Sequence, residues 1–153
     1  MDLRSLRGLA VAGDFDGDGR DDVGVFRNGT WQIRLTGSGT VLAPFSFGSG
    51  TWPTVVPVVG DWDGDGTDGI GTYSAGTWSL RNTATAGPPD IAPFAFAPGA
   101  APYPVVGDWE GDGTDTVGVK AGTTWSLSNS NTTPSVALTF TYGLASDLPL
   151  SWR

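Results

Sequence analysis

An acidic, glycine-rich segment occurs three times in this chain and strongly limits what the chain can fold into. The copies begin at Gly13, Gly60 and Gly107, 47 residues apart each time, and read GDFDGDGRDD, GDWDGDGTDG and GDWEGDGTDT. Of the 16 acidic residues, only Asp2, Asp90 and Asp147 lie outside them. A fixed period of this length is typical of propellers and solenoids, in which each repeat forms one structural unit. The sequence therefore predicts a repeat protein.

Strand patterns within each repeat indicate the kind of unit. In the middle repeat, alternating apolar and polar residues between turn-forming residues predict strands at 55–60, 70–73, 77–81 and 93–96. Four short strands in a repeat of this size are typical of a propeller blade. We therefore predict an all-β fold of three four-stranded antiparallel β-propeller blades, with a β-solenoid or a sandwich as the alternative.

The predicted boundaries follow the acidic segments. Residues 1–153 form one repeat domain, with a leading strand at 1–12 and blade repeats at 13–59, 60–106 and 107–153. A closed propeller has about four to eight blades. We therefore expect a homodimer that completes a six-bladed ring, in which LAVAGDF and LPLSW complete sheets across the junction. A piece of a longer propeller, or a designed fragment, is the alternative.

Composition narrows the possible functions. The chain has no cysteine and no histidine, which excludes thiolate and imidazole metal sites and catalysis by an imidazole base. A formal net charge of -8 argues against binding nucleic acid or an anionic membrane through a basic face. No stretch approaches the roughly 20 apolar residues of a membrane helix, and no signal peptide is recognisable. Carboxylates remain the only plausible chemistry.

The acidic loops have the ligand pattern of a hard cation. Counting from the first aspartate, carboxylates occupy places 1, 3 and 5, and glycines occupy places 4 and 6. Calcium takes about six to eight oxygen ligands, and the glycines let the carbonyl at place 7 turn towards the ion. Magnesium fits less well, because it requires near-ideal octahedral geometry. Up to three structural calcium ions are predicted, held by Asp14, Asp16, Asp18 and the Arg20 carbonyl; by Asp61, Asp63, Asp65 and the Thr67 carbonyl; and by Asp108, Glu110, Asp112 and the Thr114 carbonyl.

An EF-hand and a self-capped turn are the alternatives to this kind of calcium loop. An EF-hand needs a glutamate at place 12, where this chain has Val25, Thr72 and Val119. Aspartate-glycine clusters can also form turns that cap themselves through hydrogen bonds from the backbone to the side chain. The repetition in three copies favours calcium over the self-capped turn.

The loops resemble the DxDGDGxxD pattern of FG-GAP or VCBS repeats, the blades of integrin α-chain-like propellers. The aromatic-glycine pairs Phe47-Gly48 and Tyr142-Gly143 fit that pattern, whereas Phe96-Ala97 lacks its glycine. The resemblance implies that each loop joins the first two strands of a blade and binds calcium structurally. It also implies that an aspartate at place 9 closes the coordination.

Only the first loop has that closing residue, Asp22. Gly69 and Thr116 stand at place 9 of the other two loops, which carry Asp68 and Asp115 at place 8. Neighbouring strand residues point to opposite faces, so Asp68 and Asp115 could be ligands only if a bulge shifted the backbone. We therefore expect the first site to bind most tightly and treat the other two as conditional.

Aromatic residues also recur with the repeat. Those at 47-residue spacing are predicted to pack between blades, namely Trp31, Trp78 and Trp125 with Phe15, Trp62 and Trp109. Trp52 and Trp152 break the period and are predicted to be exposed or at an interface. The 7 tryptophans also allow a carbohydrate-binding hypothesis.

The function predicted from these features is a calcium-stabilised, non-catalytic binding or scaffold module for protein interaction. A propeller lectin with aromatic pockets between blades is the alternative. Calcium loops of this kind suit the millimolar calcium outside cells, so an extracellular or cell-surface location is expected.

Overall fold

The computed structural model describes residues 8–51 and 53–149, and every regular element in those ranges is a β-strand. The strands are β1 Leu9–Gly13, β2 Asp22–Arg27, β3 Thr30–Arg34, β4 Phe45–Ser46, β5 Val55–Gly60, β6 Gly69–Ser74, β7 Thr77–Arg81, β8 Ile91–Ala95, β9 Tyr103–Gly107, β10 Thr116–Ala121, β11 Thr124–Leu127 and β12 Leu138–Thr141. Trp52, Trp152 and the end of LPLSW lie outside the described residues.

The strands form three four-stranded antiparallel sheets, each in simple sequence order. The sheets are β1 to β4, β5 to β8 and β9 to β12. This confirms the all-β fold class with propeller-like blades. In the middle blade, β5 and β7 have the predicted bounds, whereas β6 extends one residue further at each end. β8 begins two residues early and ends one residue early, and its pairing with β7 is irregular between Trp78 and Leu80.

Each blade begins before its acidic loop, so the sheets are out of step with the 47-residue repeats as bounded from the sequence. The loop joins the first strand of a blade to the second, as the resemblance implied. The prediction that LAVAGDF completes a sheet across a junction is wrong for Leu9–Gly13. This strand pairs with β2 of its own blade, from Leu9 opposite Phe26 to Gly13 opposite Asp22. β1 pairs with β2 because the acidic loop connects the two strands as a hairpin.

Consecutive blades pack face to face. The first strands are neighbours, β1 against β5 and β5 against β9. One buried cluster joins the first two blades and the other joins the last two. The first contains Phe15, Phe26, Trp31, Ile33, Phe47, Val55, Ile70 and Ala84; the second contains Val58, Trp62, Tyr73, Trp78, Leu80, Phe96, Val106, Val117 and Val119. The core of the molecule is therefore made at its blade junctions.

The recurring tryptophan of β3, β7 and β11 holds the outermost strand of its blade. Its indole Nε1 donates to a backbone carbonyl just beyond that strand: Trp31 to Phe47 at 3.0 Å, Trp78 to Phe96 at 2.8 Å and Trp125 to Tyr142 at 3.1 Å. Trp31 and Trp78 are fully buried, and Phe15 and Trp62 are also buried, so their predicted packing role is confirmed. Trp109 and Trp125 in the third blade are only partly buried.

The tight turn between the second and third strands of each blade offers a test of the local fold. Ala75 has φ 48 at a turn position where the first blade has Asn28, with φ 53. Because asparagine tolerates the left-handed region better than alanine, Ala75→Asn should raise the free energy of unfolding by about 1 kcal/mol. Asn28→Ala is the matched reverse change and should lower it similarly. Chemical denaturation measures both, and a loss of stability in Ala75→Asn would contradict this assignment.

Candidate metal centre

The three acidic loops share one backbone conformation that the aspartate at place 1 holds together. The glycines at places 4 and 6 have positive φ in every copy, for example 74 at Gly17 and 83 at Gly19. In the first loop, Asp14 Oδ1 accepts from the amides of Gly17 at 2.7 Å and Asp18 at 3.1 Å, while Oδ2 accepts from Gly19 at 2.8 Å. Asp61 and Asp108 accept the corresponding bonds at 2.7 to 3.1 Å. The glycines therefore allow the tight turn of each loop, and the orientation of the place-7 carbonyl towards an ion stays a prediction.

Two of the loops bring three carboxylates together. Oxygen atoms of Asp14, Asp16 and Asp18 lie within 4.8 Å of one another, and so do those of Asp61, Asp63 and Asp65. Among the described residues, Asp108, Glu110 and Asp112 do not form such a group. Glu110 is longer by one methylene than Asp16 and Asp63, and its Oε2 accepts from Asn129 Nδ2 at 2.9 Å. The first two acidic clusters could therefore bind a metal ion.

The donor set of these clusters fits a hard cation. A carboxylate has about four lone-pair sites, and the loop amides occupy three of those on Asp14. Asp16 and Asp18 accept amide bonds at Oδ1, from Asp18 at 3.3 Å and from Arg20 at 2.9 Å. Acceptor capacity therefore remains on all three side chains, and every donor atom is an oxygen, which is the ligand calcium prefers.

Each of the three loops contains a carboxylate whose pKa is clearly shifted. Desolvation, followed by the charge of Asp18, raises the pKa of Asp16 above its usual value. Desolvation, followed by the charges of Asp65 and Asp61, raises the pKa of Asp63 in the same way. In the third loop, hydrogen bonds from loop amides, above all that of Gly113, lower the pKa of Asp108. In the first two clusters the charges of neighbouring carboxylates add to the effect of desolvation on these pKa values, and a cation would relieve that repulsion.

Other predicted ligands have defined positions but no demonstrated role in metal binding. The place-7 amides of Thr67 and Thr114 donate to the place-5 carboxylates Asp65 and Asp112 at 2.8 Å, as Arg20 does to Asp18. Coordination by the place-7 carbonyls stays a prediction. Asp22 is fully buried, and its two oxygens accept from the amides of Phe15 at 3.1 Å and Thr36 at 2.7 Å. It ties the first loop to the connection between β3 and β4, and its role as a ligand also stays a prediction.

The aspartates at place 8 make a contact that the sequence did not reveal. Asp68 Oδ2 accepts from the amide of Asp14 in the preceding blade at 2.7 Å, and the amide of Asp68 donates to the Asp14 carbonyl at 2.7 Å. Asp115 and Asp61 repeat this pair of bonds at 2.9 and 2.7 Å. We call this paired contact the inter-blade clasp. The structure thus places Asp68 and Asp115 on the backbone of the neighbouring loop, outside the carboxylate groups of their own loops.

Comparison with known protein families gives one match. Residues 14–70 match the model of the FG-GAP-like repeat, a segment that runs from the first acidic loop to the start of β6. This agrees with the resemblance inferred from the loop pattern. Neither the curated proteins nor the solved structures give a significant match. Within the described residues, no helix is long and apolar enough to cross a membrane.

The clasp predicts that Asp68 stabilises the protein with or without a metal. Asp68→Ala removes a charged acceptor from a buried amide and should lower the free energy of unfolding by about 2 kcal/mol, in chelator as well as in calcium. Asp68→Asn keeps one acceptor oxygen and should lower the free energy of unfolding by less. Denaturant unfolding in both conditions provides the measurement. If Asp68→Ala lost stability only in calcium, Asp68 would be a metal ligand instead.

Proposed function

We propose that this chain is a calcium-stabilised, β-propeller-like module that mediates protein interaction and has no catalytic activity of its own. The observation that carries the proposal is the pair of three-carboxylate clusters, each formed on a loop that joins the first two strands of a blade. The match of residues 14–70 to the FG-GAP-like repeat supports it.

Calcium is the cation that these loops suit best. Their ligands are carboxylates on a short backbone loop with room for carbonyl oxygens, and calcium accepts such sets in irregular geometry. Asp14, Asp16 and Asp18 would hold one ion and Asp61, Asp63 and Asp65 a second. The third loop would bind more weakly, because Asp108, Glu110 and Asp112 are not gathered into a group. Three divalent ions would take the formal charge from -8 to -2, which is -8 plus 6.

The proposed role of the ion is structural, because of what the loops touch. Asp14 contributes its carboxylate to the cluster and its backbone amide and carbonyl to the inter-blade clasp. Asp61 has the same two roles in the second loop. A cation that orders the loop therefore also fixes the backbone groups that hold the next blade. Binding of the ion and packing of the blades would stabilise each other.

Protein interaction has more support than carbohydrate binding. Three of the 7 indoles that suggested a lectin are used inside the molecule, since Trp31, Trp62 and Trp78 are buried. A surface depression beside the third blade is lined by small residues without an aromatic ring, among them Gly99, Ala121 and Thr124. FG-GAP repeats are typical of extracellular proteins, and we propose that location here as well, because millimolar calcium would fill sites of moderate affinity.

Calcium binding can be assigned to individual loops by neutralising one carboxylate in each. Asp16→Asn and Asp63→Asn should each abolish or weaken one site by about tenfold or more, because each removes a charge from a three-carboxylate group. Glu110→Gln should have a smaller effect. Isothermal titration gives the number of sites, and thermal unfolding gives the stabilisation by calcium.

The control is Asp147→Asn, a carboxylate outside the loops, which should titrate like the unchanged protein. Magnesium at the same concentration should stabilise the protein less than calcium. The proposal fails if calcium neither binds nor raises the unfolding temperature. It also fails if Asp16→Asn and Asp63→Asn bind calcium like the unchanged protein.

A further inference from the structure

Two broad blade faces have no neighbouring blade within the described part of the chain. We define the leading face by Asp21, Val23 and Val25 of the first blade, and the trailing face by Asp108, Trp125 and Tyr142 of the third blade. At both internal junctions, the trailing face of one blade packs on the leading face of the next. Each outer residue can therefore be compared with buried counterparts in the same chain.

The leading face exposes apolar residues that the other blades bury. Val23 is 51% exposed and Val25 is 40% exposed. Their counterparts lie at the internal junctions and are all buried: Ile70 and Thr72 in the second blade, and Val117 and Val119 in the third. The preceding blade covers those counterparts. Val23 and Val25 form the corresponding surface of the first blade, and no preceding blade covers it within the described residues.

The trailing face exposes aromatic residues whose counterparts at the internal junctions are buried. Tyr142 is 73% exposed, whereas its counterparts Phe47 and Phe96 are 5% and 6% exposed because the following blade covers them. Trp125 is partly exposed, whereas Trp31 and Trp78 are fully buried. The approach at an internal junction is close, since a Cβ built on Gly48 would lie 2.6 Å from Thr72 Cγ2. Gly143 follows Tyr142 as Gly48 follows Phe47, so the third blade has a glycine at the corresponding position.

Both halves of an inter-blade clasp are also present on these faces. Asp21 is the exposed counterpart of Asp68 and Asp115. Its carbonyl accepts from Thr36 Oγ1 at 2.9 Å, much as the Asp115 carbonyl accepts from Asn131 Nδ2 at 2.8 Å. Asp108 is the exposed counterpart of Asp14 and Asp61, and its carboxylate holds the loop amides in the same way. The two residues of a third clasp, Asp21 and Asp108, are therefore present on the two outer faces.

We propose that the leading face binds the trailing face of a second copy of this chain. Asp21 of one copy accepts a hydrogen bond from the Asp108 amide of the other, and Val23 and Val25 cover Tyr142 and Trp125. The new junction repeats the two internal ones in its apolar contacts and in its clasp. None of these contacts requires a metal, so the inference does not depend on the calcium proposal.

Two copies of this chain supply six blades, since each copy has three blades in its described residues. Closed propellers have about four to eight blades, and six is the only multiple of three in that range. Two copies joined head to tail make two equivalent junctions and leave neither face uncovered. A closed assembly of identical chains is the usual outcome when such faces match.

Sedimentation velocity tests the proposal, with the protein at about 20 μM in about 0.15 M salt to screen the repulsion between acidic chains. The unchanged chain should sediment as a dimer in calcium and in chelator. Val25→Arg and Tyr142→Arg, both at exposed positions, should each give folded monomers. Asp21→Ala should raise the dimer dissociation constant by about tenfold or more, because it removes a charged acceptor from an interface amide. Ala86→Arg changes an exposed residue in the connection between β7 and β8 of the middle blade, which forms neither outer face, and it should remain a dimer.

A mixture of Val25→Arg and Tyr142→Arg distinguishes head-to-tail binding from other arrangements. Each variant retains one unaltered face, so the mixture should form a heterodimer through one intact junction although neither variant dimerises alone. The inference is overturned if the unchanged chain is a monomer or forms larger open assemblies. It is also overturned if Tyr142→Arg stays dimeric while Val25→Arg does not, which would indicate pairing of two leading faces, or if Ala86→Arg dissociates.

Discussion

The inter-blade clasp is the contact on which the arrangement of the blades depends. Its two bonds join Asp14 to Asp68 and Asp61 to Asp115, and each pair links the first residue of one acidic loop to the eighth residue of the next. All four aspartates are buried or nearly so. A buried amide requires a partner, and an ionised carboxylate is a strong one. The clasp therefore fixes the position of one blade relative to the next, and the aromatic clusters fill the space between them.

The acidic loops thus combine two tasks within one short segment. Places 1, 3 and 5 gather carboxylates on one side of the loop, while the backbone of place 1 meets the next blade on the other side. Desolvation and, after it, the charges of neighbouring carboxylates raise the pKa of Asp16 and Asp63, and a cation at the first two loops would relieve that repulsion. The third loop has no following blade within the described residues, and its Asp108 is exposed. The same loop residues therefore serve both the ordering of the acidic loop and the packing of the next blade.

Much of this architecture could be predicted from the sequence, because its signals are local and repeated. The 47-residue period, the alternation in segments such as Val55–Gly60 and the glycines at places 4 and 6 specified the strands and the loop conformation. The partner of Asp68 could not be predicted, since it lies 54 residues away in another blade. The position of Leu9–Gly13 was misassigned because the repeat was counted from the loop rather than from the strand before it. Periodicity reveals the unit, but contacts between units depend on packing that no single repeat contains.

The most direct test of this account is a high-resolution crystal structure of the protein grown with calcium. The account predicts an ion in each of the first two loops, bound by the carboxylates at places 1, 3 and 5. It also predicts that Asp68 and Asp115 remain hydrogen-bonded to the amides of Asp14 and Asp61. Ions bound by Asp68 and Asp115, with the two amides released from them, would contradict the account.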